Sequence, residues 1–290
     1  MSWVSGRAVT MTDEEFVLIR DLIVDYCGVY FTEAFKYLIE RRLQARLPVY
    51  GLNSFREYYR LLKYGPDAAR EYDEIVERIT TNETFFFREP YQLKAFTDEV
   101  LPLMLEGHRR DQPIRIWSAG CSSGEEPYTI AMLIDELALG LNRSFEIFAN
   151  DISRKVLRTA REGLYRDSSF RVTEARYRAR YFVREGPAHR LRDEIRHRVT
   201  FGHLNLMDDA SIGLIANVDL IFCRNVIIYF DARSRARLLA AFHRKLRPGG
   251  YLLLGHSESL INSTTDFELC PLKNDMVYRK PMDATSRGRI

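Results

Sequence analysis

Short apolar runs alternate with helical segments after about residue 110, and this rhythm constrains the fold more than any other feature of the chain. Each run has the length and composition of a buried strand, and a turn and residues at helical spacing follow it. Strands and helices that alternate in this way form a mostly parallel, doubly wound α/β sheet with helices on both faces. The predicted strands are residues 114–118, 145–149, 199–204, 218–223 and 251–254.

Three stretches of this part of the chain depart from the rhythm. The triplet Pro248-Gly249-Gly250 predicts a turn before the last of these strands. The region around Phe267 and residues 276–279 predict a terminal antiparallel hairpin at the sheet edge. Residues 166–198 fit the rhythm poorly, and the segment from about 166 to 203 is predicted to be a small inserted subdomain.

The first 80 residues show helical patterns only, and their short loops predict an all-α antiparallel bundle. Thr12 and Glu15 form a capping-box sequence before apolar residues at helical spacing, and Gly28 is a predicted C-terminal cap. The predicted division is residues 1–80 for the bundle, 81–110 for a linker and connecting helix, and 111–290 for the sheet domain.

Composition narrows the possible classes of protein. The chain is 46% hydrophobic and 29% charged, as in ordinary globular proteins. No apolar run is long enough to span a bilayer, and residues 1–10 lack a signal-peptide core, so we expect a cytoplasmic location without membrane insertion. The four cysteines are far apart and predict neither a disulfide nor a metal site. A net charge of +3 is too small to indicate nucleic acid.

The turn after the first predicted strand, residues 118–124, lies where a doubly wound sheet binds its ligand. Gly120 and Gly124 let the backbone approach a ligand closely. Glu125 and Glu126 then begin the helix, at the place where a nucleotide site would present free amides to phosphate. They suit a positively charged ligand without phosphate, such as S-adenosylmethionine. Acidic residues also favour helix starts in general, which explains one glutamate better than the whole turn.

Polar residues also follow the second and third predicted strands. Asp151 stands where an acidic side chain accepts hydrogen bonds from both ribose hydroxyls of an adenosine ligand. The alternative is an N-cap for the helix that begins near Ser153. The position of Asp151 after the second strand favours the ribose role. Asn205 and Leu206 are placed to contact an adenine.

Arg224 and Asn225 emerge at the ligand edge after a buried strand, where polar groups need partners. Asn225 is predicted to pair with an amine or carboxylate of the ligand, and Tyr229 to present its hydroxyl to the substrate. For Tyr229 the alternative is packing on the sheet, the commoner place for a tyrosine. The run Gly255-His256-Ser257-Glu258-Ser259 is a weaker signal, because a lone histidine is usually a surface residue.

Residues 85–87 are three consecutive phenylalanines, which cannot all face one side of a regular element. Some of them must leave the local core, for instance to pack between domains. Asn82, Thr84 and Arg88 are polar residues within this apolar stretch and point to a site.

Together these runs resemble the chemotaxis receptor glutamate methyltransferases, the CheR family. The similarity extends from about Thr12 to Tyr278, and the runs follow the order of that family's blocks. The resemblance implies a class I, Rossmann-like methyltransferase domain with an inserted β-subdomain, preceded by an all-α domain. It implies S-adenosylmethionine as cofactor, S-adenosylhomocysteine as product and methylation helices of chemoreceptors as partner. The runs are TNETFFFRE, WSAGCSSGEEPY, FANDIS, FCRNVIIYFD and LRPGGYLLLGHSES.

The resemblance also implies site residues. Arg88 and Tyr229 are expected near the transferred methyl group, where Arg88 holds and Tyr229 orients the incoming carboxylate. No general base is needed, because a glutamate is already ionised at neutral pH. Either Glu125 or Glu126 can make the acidic contact. The expected cofactor contacts, with Gly120 from the turn, are Asn82, Thr84, Arg88, Gly120, Glu126, Asp151, Asn205, Leu206, Arg224 and Asn225.

Residues 152–200 carry 14 Lys and Arg against 6 Asp and Glu. This excess is either a solvated surface or a field that steers an acidic helix of the receptor to the site. Some relatives grip a peptide at the receptor's end through a glycine-rich loop of the β-subdomain. The matching stretch, residues 183–189, has one glycine and a stiffening Pro187, so we expect no tether. The basic residues of the helix at 153–162 are Arg154, Lys155, Arg158 and Arg161.

Two other functions fit the same residues. One is a methyltransferase for a small molecule, against which the helical bundle and the basic insertion argue. The other is a cofactor-sensing module without catalysis, against which the full set of site residues argues.

Overall fold

A computed structural model describes residues 9–138, 143–260 and 266–282. Its contacts divide the chain into two compact units, and residues 82–110 are part of the sheet unit, not a separate linker. The reason is apolar burial, because Phe96, Val100 and Met104 of the predicted connecting helix lie in the core of that unit. The helical unit comprises Met1–Thr81 and Tyr229–Arg235, and the sheet unit comprises Asn82–Ile228 and Ala236–Ile290.

The helical unit begins with the predicted capping box. Thr12 accepts a hydrogen bond from the Glu15 amide, and the Glu15 carboxylate accepts one from the Thr12 amide at 2.9 Å. Gly28 ends the first helix in the left-handed region, with φ of 78°. The helices are α1 Asp13–Cys27, α2 Lys36–Gln44, α3 Phe55–Tyr64 and α4 Ala68–Ile79, with 3₁₀ turns at Glu33–Phe35 and Leu47–Tyr50.

A buried ion pair lies inside the helical unit. The Arg46 guanidinium donates two hydrogen bonds, of 2.8 and 2.6 Å, to the fully buried carboxylate of Glu71. The hydroxyls of Tyr50 and Tyr58 also donate to it, at 2.8 and 2.6 Å. Burial alone would raise the pKa of Glu71, but Arg46 and the tyrosines together hold this pKa below its ordinary value. Glu71 therefore joins α3, α4 and the turn at Leu47–Tyr50.

We predict that Glu71→Gln lowers the free energy of unfolding by about 3–5 kcal/mol at pH 7, because Arg46 loses its buried counter-charge. The stabilisation should be complete above the unfolded pKa of about 4.3 and be lost as pH falls through the lower folded pKa. Urea denaturation across this pH range measures both effects. Glu14→Gln is the control, since its ion pair with Arg56 is exposed and is worth less than about 1 kcal/mol. Equal losses in the two variants would refute the assignment.

The sheet unit has the predicted α/β architecture. Among the described residues its seven-stranded sheet has the order β6-β2-β1-β7-β8-β10-β9, and the first five strands are parallel. β10 pairs antiparallel with β8 and β9, which confirms the terminal hairpin. The strands are β1 Ile114–Ala119, β2 Phe145–Asp151, β3 Leu164–Tyr165, β4 Phe182–Glu185, β5 Ala188–Leu191, β6 Val199–His203, β7 Val218–Cys223, β8 Leu246–Leu254, β9 Glu268–Pro271 and β10 Met276–Arg279.

Helices cover the sheet and enclose an apolar core, which includes Ile116, Ile130 and Leu220. Within the described residues, no helix combines the length and the apolar character that a membrane span requires. The helices that follow residue 81 in the chain are α5 Pro90–Ala95, α6 Leu101–Gly107, α7 Glu125–Ala138, α8 Arg154–Glu162, α9 Ala175–Tyr181, α10 Asp193–Arg196, α11 Asp209–Gly213 and α12 Ala232–Lys245, with a π-helical stretch at Phe96–Val100 and 3₁₀ turns at Asp167–Phe170 and Ile227–Tyr229.

The turn predicted at Pro248-Gly249-Gly250 is wrong, because these residues lie inside β8. Gly249 has φ of 79° and donates to the Lys280 carbonyl at 3.0 Å, while the Lys280 amide donates to the Gly250 carbonyl at 2.8 Å. The pairing of β7 with β8 is irregular between Val218 and Leu220. The glycines thus form a bulge within the strand.

The inserted subdomain ends earlier than predicted. Its small sheet has the order β3-β5-β4, so it begins at Leu164, and its last strand ends at Leu191. β6 belongs to the large sheet, where Val199 pairs with Ile147 in a parallel ladder. The predicted segment 166–203 therefore overlaps one strand of the main sheet, the strand that was also predicted at residues 199–204.

Candidate functional site

The parallel strands bring the predicted cofactor residues to one edge of the large sheet. Gly120 follows β1, Asp151 ends β2, Asn205 lies just beyond β6 and Arg224 follows β7. These four strands are neighbours in the order β6-β2-β1-β7. Ligands of doubly wound sheets bind outside the carboxyl ends of the strands. The edge therefore forms a candidate cofactor site.

The turn between β1 and α7 is closely packed. Gly120 and Gly124 have φ of 78° and 93°, and a Cβ at these positions would lie 2.6 Å from Val226 Cγ2 and 2.9 Å from Ala160 Cβ. The Gly120 and Cys121 amides donate to the Asn150 carbonyl at 2.9 and 2.8 Å. Glycine is thus required here by the left-handed backbone and by the packing, in addition to any approach of a ligand.

Asp151 links this turn to the start of α8. Its buried carboxylate accepts hydrogen bonds from the Ser122 amide at 2.8 Å and the Ser153 amide at 2.9 Å. Ser153 is itself the N-cap of α8, since its hydroxyl accepts from the Val156 amide at 3.2 Å. These bonds hold the carboxylate at the carboxyl end of β2, where an acidic side chain of a doubly wound sheet accepts hydrogen bonds from ribose hydroxyls.

Glu125 and Glu126 have different surroundings. Glu125 accepts hydrogen bonds from Ser123 and Ser169 at 2.7 and 3.0 Å, which hold it against the turn and the inserted segment. Glu126 accepts from the Ser118 hydroxyl at 2.8 Å and from Arg224 at 3.2 Å. Burial raises the pKa of both carboxyls, and in Glu126 the charge of Arg224 opposes this effect. Of the two, Glu126 faces the residues that follow β7.

Arg224 lies between two carboxylates. Its guanidinium is 3.2 Å from Glu126 and 3.1 Å from Glu89, and it donates to the Arg88 carbonyl at 2.5 Å. Asn225 donates to the other oxygen of Glu89 at 3.3 Å. Burial raises the pKa of Glu89, but Arg224 and Asn225 outweigh this and lower it overall. Because one guanidinium faces two carboxylates, the cluster carries one excess negative charge when both carboxylates are ionised, which suits a cationic ligand.

The three phenylalanines before this cluster have separate roles. Phe86 and Phe87 are buried in the core of the sheet unit, and the Phe86 ring lies 5.2 Å from that of Phe170. Phe85 instead meets two guanidiniums, with Arg171 at 3.9 Å and Arg88 at 5.7 Å from its ring centroid. The Arg88 guanidinium also donates to the Glu83 carbonyl at 3.0 Å. Core packing of two rings therefore fixes the backbone that carries Arg88.

The other predicted contacts flank the same edge. The Asn82 carbonyl accepts a hydrogen bond from the Ser122 hydroxyl at 3.2 Å, which brings the segment that includes the half-buried Thr84 to the turn. The Asn205 side chain accepts from the Met207 amide at 2.9 Å, and Leu206 is buried. Tyr229 belongs to the helical unit and is 39% exposed, so its role at the site stays a prediction.

Two carboxylates at this edge were not predicted. Glu89 binds Arg224, and Glu258 accepts hydrogen bonds from the amides of the loop that follows β7. Both lie close in the sequence to other candidate residues. That proximity alone does not distinguish them from other acidic residues, and only the contacts in the structure identify their roles. Among the described residues, no group of three or more His, Cys, Asp or Glu side chains could hold a metal ion.

The doubly wound sheet with its terminal hairpin, and the polar edge just described, define a class I methyltransferase. Residues 82–276 match the CheR methyltransferase, SAM binding domain, and residues 14–80 match the CheR methyltransferase, all-alpha domain. The chain belongs to the CheR family, and it is an S-adenosylmethionine-dependent methyltransferase of chemotaxis.

Named relatives cover nearly the whole chain. It is 35% identical to chemotaxis protein methyltransferase 2 of Vibrio cholerae, over 97% of this chain and 99% of that protein. It is 35% identical to chemotaxis protein methyltransferase 1 of Pseudomonas aeruginosa, over 93% of this chain and 99% of that protein. A chemotaxis protein methyltransferase of Borreliella burgdorferi is 36% identical over 87% of this chain and 90% of that protein.

We predict that Asp151→Ala weakens S-adenosylmethionine binding by about 1–3 kcal/mol, because the ribose hydroxyls and the Ser122 amide lose a buried acceptor. Isothermal titration calorimetry measures the change. Asp208→Ala is the matched control, since Asp208 also accepts from two backbone amides, those of Ala210 and Ser211, at the start of α11. Unchanged affinity in a folded Asp151→Ala variant would refute the ribose assignment.

The geometry predicts that Glu126→Gln weakens cofactor binding more than Glu125→Gln does. We expect cofactor binding to require the ionised Glu126. Because burial raises the pKa of Glu126, wild-type affinity should fall on acidification at a higher pH than an exposed glutamate near 4.3 would give. Titrations of both variants between pH 4 and 8 test this. The acid-side loss should disappear in Glu126→Gln. A loss that persists there would assign the titration to another group.

Proposed function

We propose that this enzyme methylates glutamate side chains in the methylation helices of chemoreceptors, in the cytoplasm. The products would be a glutamate methyl ester and S-adenosylhomocysteine, as part of chemotaxis adaptation. The observation that carries the proposal is the cluster of Glu89, Glu126 and Arg224, whose two carboxylates around one guanidinium favour a cationic cofactor. The names of the relatives place those proteins in chemotaxis, which supports a chemoreceptor as the methylated partner.

The chemistry needs an aligned anion and no proton acceptor. S-adenosylmethionine, when bound, supplies a methyl group on a sulfonium ion. A glutamate carboxylate, with a reference pKa of about 4.3, is already ionised when it arrives. The thiols at this edge, Cys121 and Cys223, are buried, and burial raises the pKa of each well above its ordinary value. They are thus poor nucleophiles, which supports direct transfer without a covalent enzyme intermediate.

The residues of the chain supply binding and orientation. Asp151 and Glu126 hold the cofactor through its ribose and its positive charge. Arg88 holds the incoming carboxylate, and Tyr229 orients it without transferring a proton. Well-oriented reactants gain effective molarities of about 10⁵ M or more, so alignment alone can supply much of the rate. Exclusion of water strengthens the attraction between the opposite charges at the site.

Methyl transfer from labelled cofactor to receptor-bearing membranes tests the function. We expect label in the receptor, and release of the label as methanol by mild base, because methyl esters hydrolyse there and methylamines do not. Label in a small molecule of a cell extract, with none in receptors, would favour the alternative substrate class. Cofactor binding without any transfer would favour a sensing module.

We predict that Tyr229→Phe lowers turnover while cofactor affinity stays nearly unchanged, because only the orientation of the carboxylate is lost. Arg88→Ala should lower turnover and cofactor affinity together if Arg88 also contacts the cofactor. Steady-state rates with receptor membranes and calorimetry with cofactor separate the two effects. Tyr30→Phe is the control, since Tyr30 is another exposed tyrosine of the same unit. Full activity of Tyr229→Phe would make this residue merely structural.

We further propose that α8 steers the acidic receptor helix and that no terminal tether is used. The basic residues of α8 are exposed, and the Arg161 guanidinium is also bonded to the Phe201 carbonyl at 3.0 Å. β4 and β5 are joined by the tight turn Gly186-Pro187, with φ of 59° at Gly186. So short a connection supports the absence of a peptide-gripping loop. The exposed residues are Arg154, Lys155, Arg158 and Arg161.

If steering operates, receptors without their terminal peptide should be methylated normally at low salt. Methylation should slow when Arg154, Arg158 and Arg161 are changed together to Gln, and when salt shortens the Debye length from about 10 Å at 0.1 M to about 3 Å at 1 M. Initial rates measure both effects. Loss of methylation without the terminal peptide, with no effect of the triple change, would support a tether instead. The control, which removes the same charge from α12, is Arg233, Arg237 and Arg244 changed to Gln.

A further inference from the structure

Glu258 is a buried carboxylate that accepts four backbone hydrogen bonds at the cofactor edge. One oxygen accepts from the Gly255 amide at 2.7 Å and from the Asn225 amide at 2.8 Å. The other accepts from Val226 at 2.8 Å and from Ile228 at 3.2 Å. Glu258 is 8% exposed. One side chain therefore joins the end of β8 to the whole loop that follows β7.

The loop needs such support because its backbone is strained at Asn225. This residue has φ of 60°, in the left-handed region, which costs asparagine less than most residues but more than glycine. Its amide is held by Glu258, and its side chain donates to Glu89. The strained conformation thus directs the Asn225 side chain towards the cluster of Glu89, Glu126 and Arg224. Strain of this kind persists only where the surrounding contacts determine it.

The loop is also confined by the glycines on each side. A Cβ at Gly255 would lie 2.7 Å from the Asn225 side-chain nitrogen and 2.9 Å from the Asn225 amide. A Cβ at Gly120 would lie 2.6 Å from Val226 Cγ2. Residues 225 and 226 therefore fit between the turn that follows β1 and the end of β8. A small shift of the loop would bring it into steric conflict with one or the other.

We propose that Glu258 is a positioning residue for cofactor binding, which acts by holding Asn225 in the conformation that contacts S-adenosylmethionine. The inference rests on the proposed cofactor role of Asn225. A buried carboxylate with four amide donors is a costly way to close a loop, since burial opposes its charge. Burial indeed raises the pKa of Glu258 in spite of the four amides. The position of the Glu258 carboxylate beside Asn225 explains this cost, because the carboxylate fixes the conformation of that residue.

The test is the affinity for S-adenosylmethionine in a double-mutant cycle. Glu258→Gln replaces one acceptor oxygen by an amide donor, and it should weaken binding about tenfold, as the loss of a buried hydrogen-bond partner does. Asn225→Ala should also weaken binding. In the Asn225→Ala background, Glu258→Gln should have no further effect, because its action passes through Asn225. Additive losses would mean a general structural role and would overturn the proposal.

A control and a second variant keep the outcomes separate. Glu99→Gln changes another carboxylate that accepts from loop amides, those of Lys273 and Asn274, and it should leave cofactor affinity unchanged. If Glu258→Gln does not fold, Gly255→Ala is the second variant. Its Cβ would lie 2.7 Å from the Asn225 side-chain nitrogen and 3.0 Å from a Glu258 carboxylate oxygen, so it disturbs their contact and should weaken binding as well. The inference is overturned if Asn225→Ala weakens binding while Glu258→Gln leaves affinity unchanged. If Gly255→Ala has to replace Glu258→Gln, unchanged affinity in Gly255→Ala has the same meaning. Unchanged affinity in Asn225→Ala overturns the proposed cofactor role of that residue instead.

Discussion

The Arg224 guanidinium is buried between the carboxylates of Glu89 and Glu126, and the arrangement of the cofactor edge depends on this contact. A buried charge is tolerated only with close partners of opposite sign, and the removal of one partner strands the others. Arg224 therefore favours the ionised form of both carboxylates, in a place where burial favours their neutral forms. The second carboxylate leaves the cluster one negative charge in excess, and a sulfonium or ammonium group of the cofactor can balance that charge.

The fold brings these three charges together from distant parts of the chain. Glu89 precedes α5, Glu126 lies in the first turn of α7, and Arg224 follows β7. Because β1 and β7 are neighbours in the sheet, the start of α7 and the end of β7 reach the same edge. Glu89 joins them because Phe86 and Phe87, shortly before it in the chain, are anchored in the core. Backbone topology thus sets two positions, and aromatic packing sets the third.

Local patterns in the sequence predicted the elements well, and long-range contacts explain the failures. The capping box of α1 and the alternation of strands and helices depend on residues a few positions apart, so a single sequence is enough to find them. The role of Glu89 depends on Arg224, which lies 135 residues away, and that of Glu258 depends on a loop about 30 residues earlier. The bulge at Gly249 was missed for the same reason, because its partner is Lys280, the residue that follows β10.

The two adjacent glutamates of α7, Glu125 and Glu126, make different contacts. The contacts of Glu125 connect the inserted segment to the turn between β1 and α7. Glu125 is bonded to Ser169 of the inserted segment, whose carbonyl also accepts from the Phe86 amide at 2.9 Å. Tyr165 donates to the Ser123 carbonyl at 2.8 Å. The turn is therefore held by the insertion on one side and by Asp151 on the other. Glu126, one position further along α7, is left to face the charge of Arg224, which explains why an acidic pair begins this helix.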